Sequence, residues 1–362
     1  MAIILTVKII LLGMKKYTIH LSIAAVFLLS GCSLTGSSSG SMSGVLRSQD
    51  GGAKWEVKVR VDEKKNISAV DVLSMVISLI DSQVVYIGTM NSGVFVSKDG
   101  AENWQQLNFP TTKNYALALN PKDGKTIYAA GVFQDRGKIY KSENGGVDWK
   151  EVYTEPTTGT IVVSLAISKN NPEILYAGNS AGLIFKTVDG GKSWKSIYSA
   201  SGPVTSIAYD ASNDSLVYFL VFNQGILETK DGGTSIIKLD DNISKLKKGT
   251  GIFSIKADPS ISGVIYAGLN GDIIRSADFG ENWNSVNTLN NAKSSSDLSI
   301  RAMDINPRNS NEIVYSSAQA IYKSVDGGVQ WSTYQLETSK IVGAIKYDPT
   351  NPGILYSGLR SK

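Results

Sequence analysis

The chain has 362 residues, 42% hydrophobic and 19% charged, with 35 Gly against 9 Pro, the composition of a folded domain with a large core rather than of a disordered or fibrous chain. Its one cysteine, Cys32, and its one histidine, His20, both lie near the start, so the rest is without disulfide frameworks, Cys or His metal sites, and Ser-His-Asp or Cys-His catalysis. Three of the 36 basic residues, Lys8, Lys15 and Lys16, precede Cys32 and none of the 32 acids does; the chain beyond Cys32 is close to neutral and gives no electrostatic case for nucleic acid.

Lys15 and Lys16 precede a largely apolar run from Ile19 to Leu29, which ends in Leu29-Ser30-Gly31-Cys32, the order of a secretory signal. The run is short of the ~20 apolar residues that a membrane span needs. Residues 1–31 therefore read as a signal peptide, with Met14 the expected true start. The last four residues resemble a bacterial lipobox, which implies that Cys32 is lipidated and ties the mature chain to a membrane. Ser33 beside it implies the outer membrane if the organism has one. Residues 32–44 are the lipidated cysteine and a Gly/Ser tether, and 45–362 form the folded part.

One signature recurs through that part, first as Ser48-x-Asp50-Gly51-Gly52-x-x-Trp55. It returns around Asp99 and Trp104, Asn144 and Trp149, Asp189 and Trp194, Asp231, Asp278 and Trp283, and Asp326 and Trp331, at intervals of 42 to 49 residues. Ile236 takes the Trp place in the fifth copy. A second signature, an apolar pair followed by Tyr, stands at Tyr86, Tyr128, Tyr176, Tyr218, Tyr266, Tyr315 and Tyr356. Short apolar stretches separated by Asn, Asp, Pro and Gly turns fill each unit, which predicts four short strands per repeat. The first box has no Tyr strand before it and the last Tyr strand has no box after it. A period of this size with a unit split between the ends predicts an all-β, single seven-bladed propeller whose terminal strands share one blade, and closure of that kind leaves no exposed sheet edge.

Within a box the Asp carboxylate can accept hydrogen bonds from its own turn, the glycines permit positive φ, and the Trp fills the seam between blades. The repeat spacing puts the seven acids on separate blades, so they read as hairpin locks and not as a metal or catalytic cluster; no metal or cofactor is expected. These boxes resemble the Asp-box, or BNR, repeats of sialidases, two-domain xyloglucanases, the sortilin luminal domain and the photosystem II assembly factor. The resemblance implies the propeller fold and leaves the function open, because the shared motif is the structural one.

Boxes and the turns between strands 1 and 2 mark one face of such a propeller, and binding is expected on the other. The turn holding Phe133, Gln134, Asp135 and Arg136 is the longest expected there, and Lys245, Lys247 and Lys248, with Lys64 and Lys65, add basic character to that rim. Arg301 falls on an innermost strand near Asp304. Sialidase chemistry needs three arginines around a carboxylate, whereas Arg47 and Arg275 stand just before boxes, where other copies have Lys. Asp258 and Asp348 precede proline and read as turn caps. The expected protein is a non-catalytic, lipid-anchored, extracytoplasmic and monomeric propeller that binds a protein or peptide partner. The alternative is a cell-surface glycosidase or carbohydrate-binding protein, which needs a carboxylate pair about 5 to 10 Å apart at the channel mouth.

Overall fold

The computed structural model describes residues 41–239, 243, 251–286, 288, 298–317 and 319–362. Within them, 28 strands form seven four-stranded antiparallel sheets. The middle strands of the sheets are mostly buried, Val85–Thr89 and Val94–Ser97 at every position, whereas an outermost strand such as Gln105–Gln106 is exposed. A middle strand packs against a sheet on either side, which is why it reads as a continuous apolar run and not as an alternation.

The ring closes as the terminal repeats predict. Strand β1 (Val45–Ser48) pairs antiparallel with β28 (Leu355–Arg360), from Val45 opposite Gly358 to Ser48 opposite Leu355. With β2 (Glu56–Val57) outside and β27 (Ile341–Tyr347) inside, the four make one sheet. We number the blades from 1, which begins with β3 (Val72–Ile77), to 7, which holds both ends of the chain. The innermost strands of blades 2 to 6 are β7 (Asn114–Leu119), β11 (Val162–Ile167), β15 (Val204–Tyr209), β19 (Ser254–Ala257) and β23 (Ala302–Ile305). Each touches the next, and β27 returns to β3, so the seven surround a central channel.

The core is divided among seven apolar clusters, each at a seam between two blades. Every cluster includes one box aromatic or its substitute: Trp55, Trp104, Trp149, Trp194, Trp283 and Trp331 in six, and Ile236 in the seventh. Trp55, Trp104 and Trp283 are buried; Trp149, Trp194 and Trp331 are half-buried.

One repeat position differs from the sequence reading. Tyr128, Tyr176 and Tyr266 sit opposite Lys141, Lys186 and Arg275, the residues just before a box. In blade 6 that place is held by Val314, opposite Lys323, while Tyr315 lies opposite Tyr322 and stacks on it at 4.7 Å. The preceding turn is no longer than in the other blades, since Ile305 pairs with Ile313 as Ala257 does with Ile265; the Tyr stands one residue further along its strand, which turns its ring to the other face of the sheet. Tyr347 of blade 7 takes up the vacated contact, with the Lys323 ammonium 5.9 Å from its ring centre.

Candidate functional site

The boxes hold their own hairpins. In the first, the Ser48 hydroxyl donates to Asp50 at 2.9 Å and accepts from the Gly52 amide at 2.8 Å, while the Lys54 amide donates to Asp50 at 2.9 Å. The same bonds recur at Asp99, Asn144, Asp189, Asp231, Asp278 and Asp326. Hydrogen bonds from the turn hold the carboxyls of Asp189, Asp231, Asp278 and Asp326 below the usual range. Among the described residues no three acidic, His or Cys side chains gather to hold a metal ion. The first residue of each box pair also binds back to the turn between strands 1 and 2 of its blade, as in Gly51 N–H to Gly353 and Gly100 N–H to Gln83, which puts both turn sets on one face.

The residues just before the boxes reach across seams. Lys186 donates to the Gly232 carbonyl and Lys323 to the Gly51 carbonyl, both at 2.8 Å, and Arg47 donates to the Gly100 carbonyl. Tyr128 does the same with its hydroxyl to Gly190 at 2.9 Å. These cations act as rivets between blades. Arg275 is likewise engaged, donating to the Tyr266 hydroxyl at 3.2 Å.

On the opposite face, Phe133 to Arg136 form a tight two-residue turn rather than a long loop. The strands Ile127–Phe133 and Arg136–Ser142 pair up to Phe133 opposite Arg136, and Gln134 and Asp135 take φ of 49° and 59°. Two successive positive φ values are those of a type I′ turn. Phe133 is exposed, with Lys138 5.7 Å from its ring centre. Arg136 is spent on structure, since its guanidinium donates to the carbonyls of Glu155 at 3.0 Å and of Pro156. Glu155 is itself buried and accepts from Asn179 at 2.9 Å; burial pushes its carboxyl up. Lys245, Lys247 and Lys248, like Cys32, lie outside the described residues. Lys64 and Lys65 belong to a hairpin closed by an Arg60–Asn66 bridge, where they donate through their amides to Asp62.

Arg301 stands elsewhere on this face, at the channel mouth, and its position exposes a ring of residues that the sequence reading missed. Each innermost strand ends in a polar cap, Ser78, Asn120, Ser168, Asp210, Asp258, Asn306 or Asp348, that accepts amides of its own turn. Five residues before the caps stand Leu73, Tyr115, Val163, Thr205, Phe253, Arg301 and Gly343. In five blades that residue is the extra one of a β-bulge, and bulges turn a side chain out of its ladder. All seven are partly or fully exposed, and Arg301 stacks its guanidinium over Phe253 at 4.8 Å. Of the seven positions, four are thus apolar or aromatic and one is arginine, and the Arg360 side chain lies over Gly343.

The innermost acids are committed. Asp71 accepts from Lys340 at 3.1 Å and from the Ser361 amide at 2.8 Å; burial alone would raise its carboxyl, but these partners hold it below the usual range. Asp258 and Asp348 cap their turns as expected. Asp304 lies away from Arg301, at the box end of the channel, where it pairs with Lys256 at 2.5 Å.

Residues 43–136 match the model of the Sortilin family, described as Sortilin, neurotensin receptor 3. No curated protein sequence matches the chain. Among solved structures, a GH74 xyloglucanase from Xanthomonas campestris is similar with a TM-score of 0.69 and 15% identity over 80% of this chain and 51% of that one. A GH74 enzyme from Niastella koreensis gives 0.62 and 19% over 80% and 51%. YCF48 bound to D1 peptide gives 0.60 and 17% over 80% of this chain and 93% of that one. The chain spans about half the length of the GH74 proteins. Such likeness carries the fold, a seven-bladed propeller of the Asp-box type.

Proposed function

We propose that this propeller is a non-catalytic binding protein, tethered outside the cytoplasm by a lipid on Cys32, that takes a protein or peptide partner at the channel mouth opposite the boxes. The observation that carries the reading is the ring at that mouth. Seven equivalent positions are turned out of their ladders or stand at strand starts, and they present Leu73, Tyr115, Val163 and Phe253 beside Arg301. Tyr115 and Arg301 are residue types enriched in protein-binding hot spots, and the partly exposed Leu73, Val163 and Phe253 supply apolar surface beside them. YCF48, of which this chain covers 93%, is similar in fold, and its solved structure is bound to D1 peptide. Non-catalytic action agrees with acids that are each engaged: Asp71 with Lys340 and Asp304 with Lys256.

The expectation that Phe133 and Arg136 bind the partner moves to the mouth, because Arg136 is held by backbone carbonyls. In a pull-down from native membranes, Tyr115→Ala with Arg301→Ala is expected to lose the partner with its melting curve in place, while Phe133→Ala keeps it. Retained capture by the double variant refutes the site. The carbohydrate reading has the xyloglucanase likeness and the aromatic rings of Tyr115 and Phe253 in its favour, and release of reducing sugar from xyloglucan by the purified chain would establish it instead.

A further inference from the structure

The opposite end of the channel carries a second arrangement. Two residues before the caps, blades 1 to 4 have Val76, Ala118, Ala166 and Ala208, whereas blades 5 to 7 have Lys256, Asp304 and Lys346. Innermost strands have no neighbour on their axial edge, so their partly exposed side chains border the channel. One side of its box end is therefore lined by small apolar groups and the other by three consecutive charged ones.

Those charges do not balance. Asp304 is 5% exposed, and both of its oxygens are taken: Oδ1 by the Lys256 ammonium at 2.5 Å and Oδ2 by the Tyr347 amide at 2.9 Å. Lys346, half-buried on the same wall, makes no hydrogen bond or ion pair with any described residue. Lys169 stands on the opposite rim, in the turn after β11, and is exposed. The acids nearest it are occupied: Asp210 accepts from the Gly263 amide and Asp214 from the side chains of Ser168 and Asn170. Repulsion from Lys256, followed by burial, brings the Lys346 ammonium down to about 8. Asp304 attracts Lys346 without contacting it and is already paired with Lys256; two cations that share one carboxylate, one of them half-buried and without a contact partner, are an arrangement that a bound anion relieves.

We propose that the box end of the channel is a binding site for a small oxyanion of the phosphate or sulfate class, held between Lys256 and Lys346 with Lys169 closing the rim. Asp304 serves to position Lys256 and leaves Lys346 for the ligand. The site is separate from the partner-binding mouth and stands whether or not that reading holds.

The test uses sodium phosphate and sodium sulfate against sodium chloride at matched ionic strength, which removes general screening. Phosphate is expected to raise the melting temperature of the wild-type chain, as a ligand of the folded state does, and to bind saturably by calorimetry. Lys346→Met is expected to weaken that binding about tenfold or more, the loss of one charge-assisted hydrogen bond. In chloride the same variant is expected to melt close to the wild-type temperature, because it loses the attraction of Lys346 for Asp304 together with its repulsion by Lys256. Lys346→Arg is expected to retain binding. Equal effects of all three salts on the wild-type chain, or binding undiminished by Lys346→Met, would overturn the proposal.

Discussion

The ammonium of Lys323 in blade 6 donates at 2.8 Å to the carbonyl of Gly51 in blade 7, 272 positions away in the chain. The bond crosses the seam between blade 6 and the blade in which the two ends of the sequence pair, and Lys323 also pairs with Glu312 at 3.1 Å. Its equivalents Lys186 and Arg47 bridge two further seams. Lys323→Met is expected to destabilise the propeller by about 1.5 to 3 kcal/mol, the range for a hydrogen bond to a charged group. Chemical denaturation measures this; a variant as stable as wild type would remove the rivet role.

Glu228 breaks that pattern. It occupies the position before the box in blade 4, opposite Tyr218, where five other blades carry Arg or Lys. It is fully buried, neither oxygen has a hydrogen-bond partner, and Lys230 lies 3.5 Å away. Burial pushes its carboxyl up despite Lys230. A folded-state carboxyl raised above its unfolded value favours folding at low pH and costs stability as pH rises past the unfolded value. Glu228→Gln is therefore expected to raise the melting temperature at pH 7 to 8, with the gain shrinking below about pH 4.5. A loss at neutral pH would mean that the Lys230 pair outweighs burial.

The box carboxyls act with the opposite sign. Asp231 is lowered to about 2, chiefly by the Ser235 hydroxyl and amide. A lowered folded-state carboxyl contributes stability above the unfolded value and loses it as pH falls toward the folded one. Melting temperature should fall between about pH 4 and 2, and Asp231→Asn, which retains an acceptor as Asn144 does, should flatten part of that slope. An unchanged slope would show that the acid sensitivity lies elsewhere.

The type I′ turn at Gln134 and Asp135 is occupied by residues that adopt positive φ at a cost, and both are exposed. Gln134→Asn with Asp135→Gly supplies the preferred pair and is expected to stabilise by about 1 kcal/mol. Lower stability would point to side-chain contacts at the turn that outweigh the backbone preference.

The seven boxes, the split blade and the turn caps Asp258 and Asp348 were legible in the sequence because each depends on local chemistry: a carboxylate accepting its own turn, a glycine at positive φ. The features that were not legible depend on register. Tyr315 carries the repeat pattern by letter, yet it stands one residue further along its strand than the other repeat tyrosines, and Val314 takes their place. Arg136 looked available because the carbonyls that hold it, those of Glu155 and Pro156, belong to the link after the next strand. The mouth ring has no shared residue type. Only alignment of the repeats on their caps would have brought Leu73, Tyr115, Phe253 and Arg301 together.

Site-specific photo-cross-linking in native membranes tests the binding face most directly, with the photoreactive side chain placed at Thr205 in the mouth or at exposed Val147 among the boxes. Partner binding at the mouth predicts a discrete protein adduct from position 205 that Arg301→Ala diminishes, and none from position 147. An adduct from 147 alone, or none from 205, would contradict it.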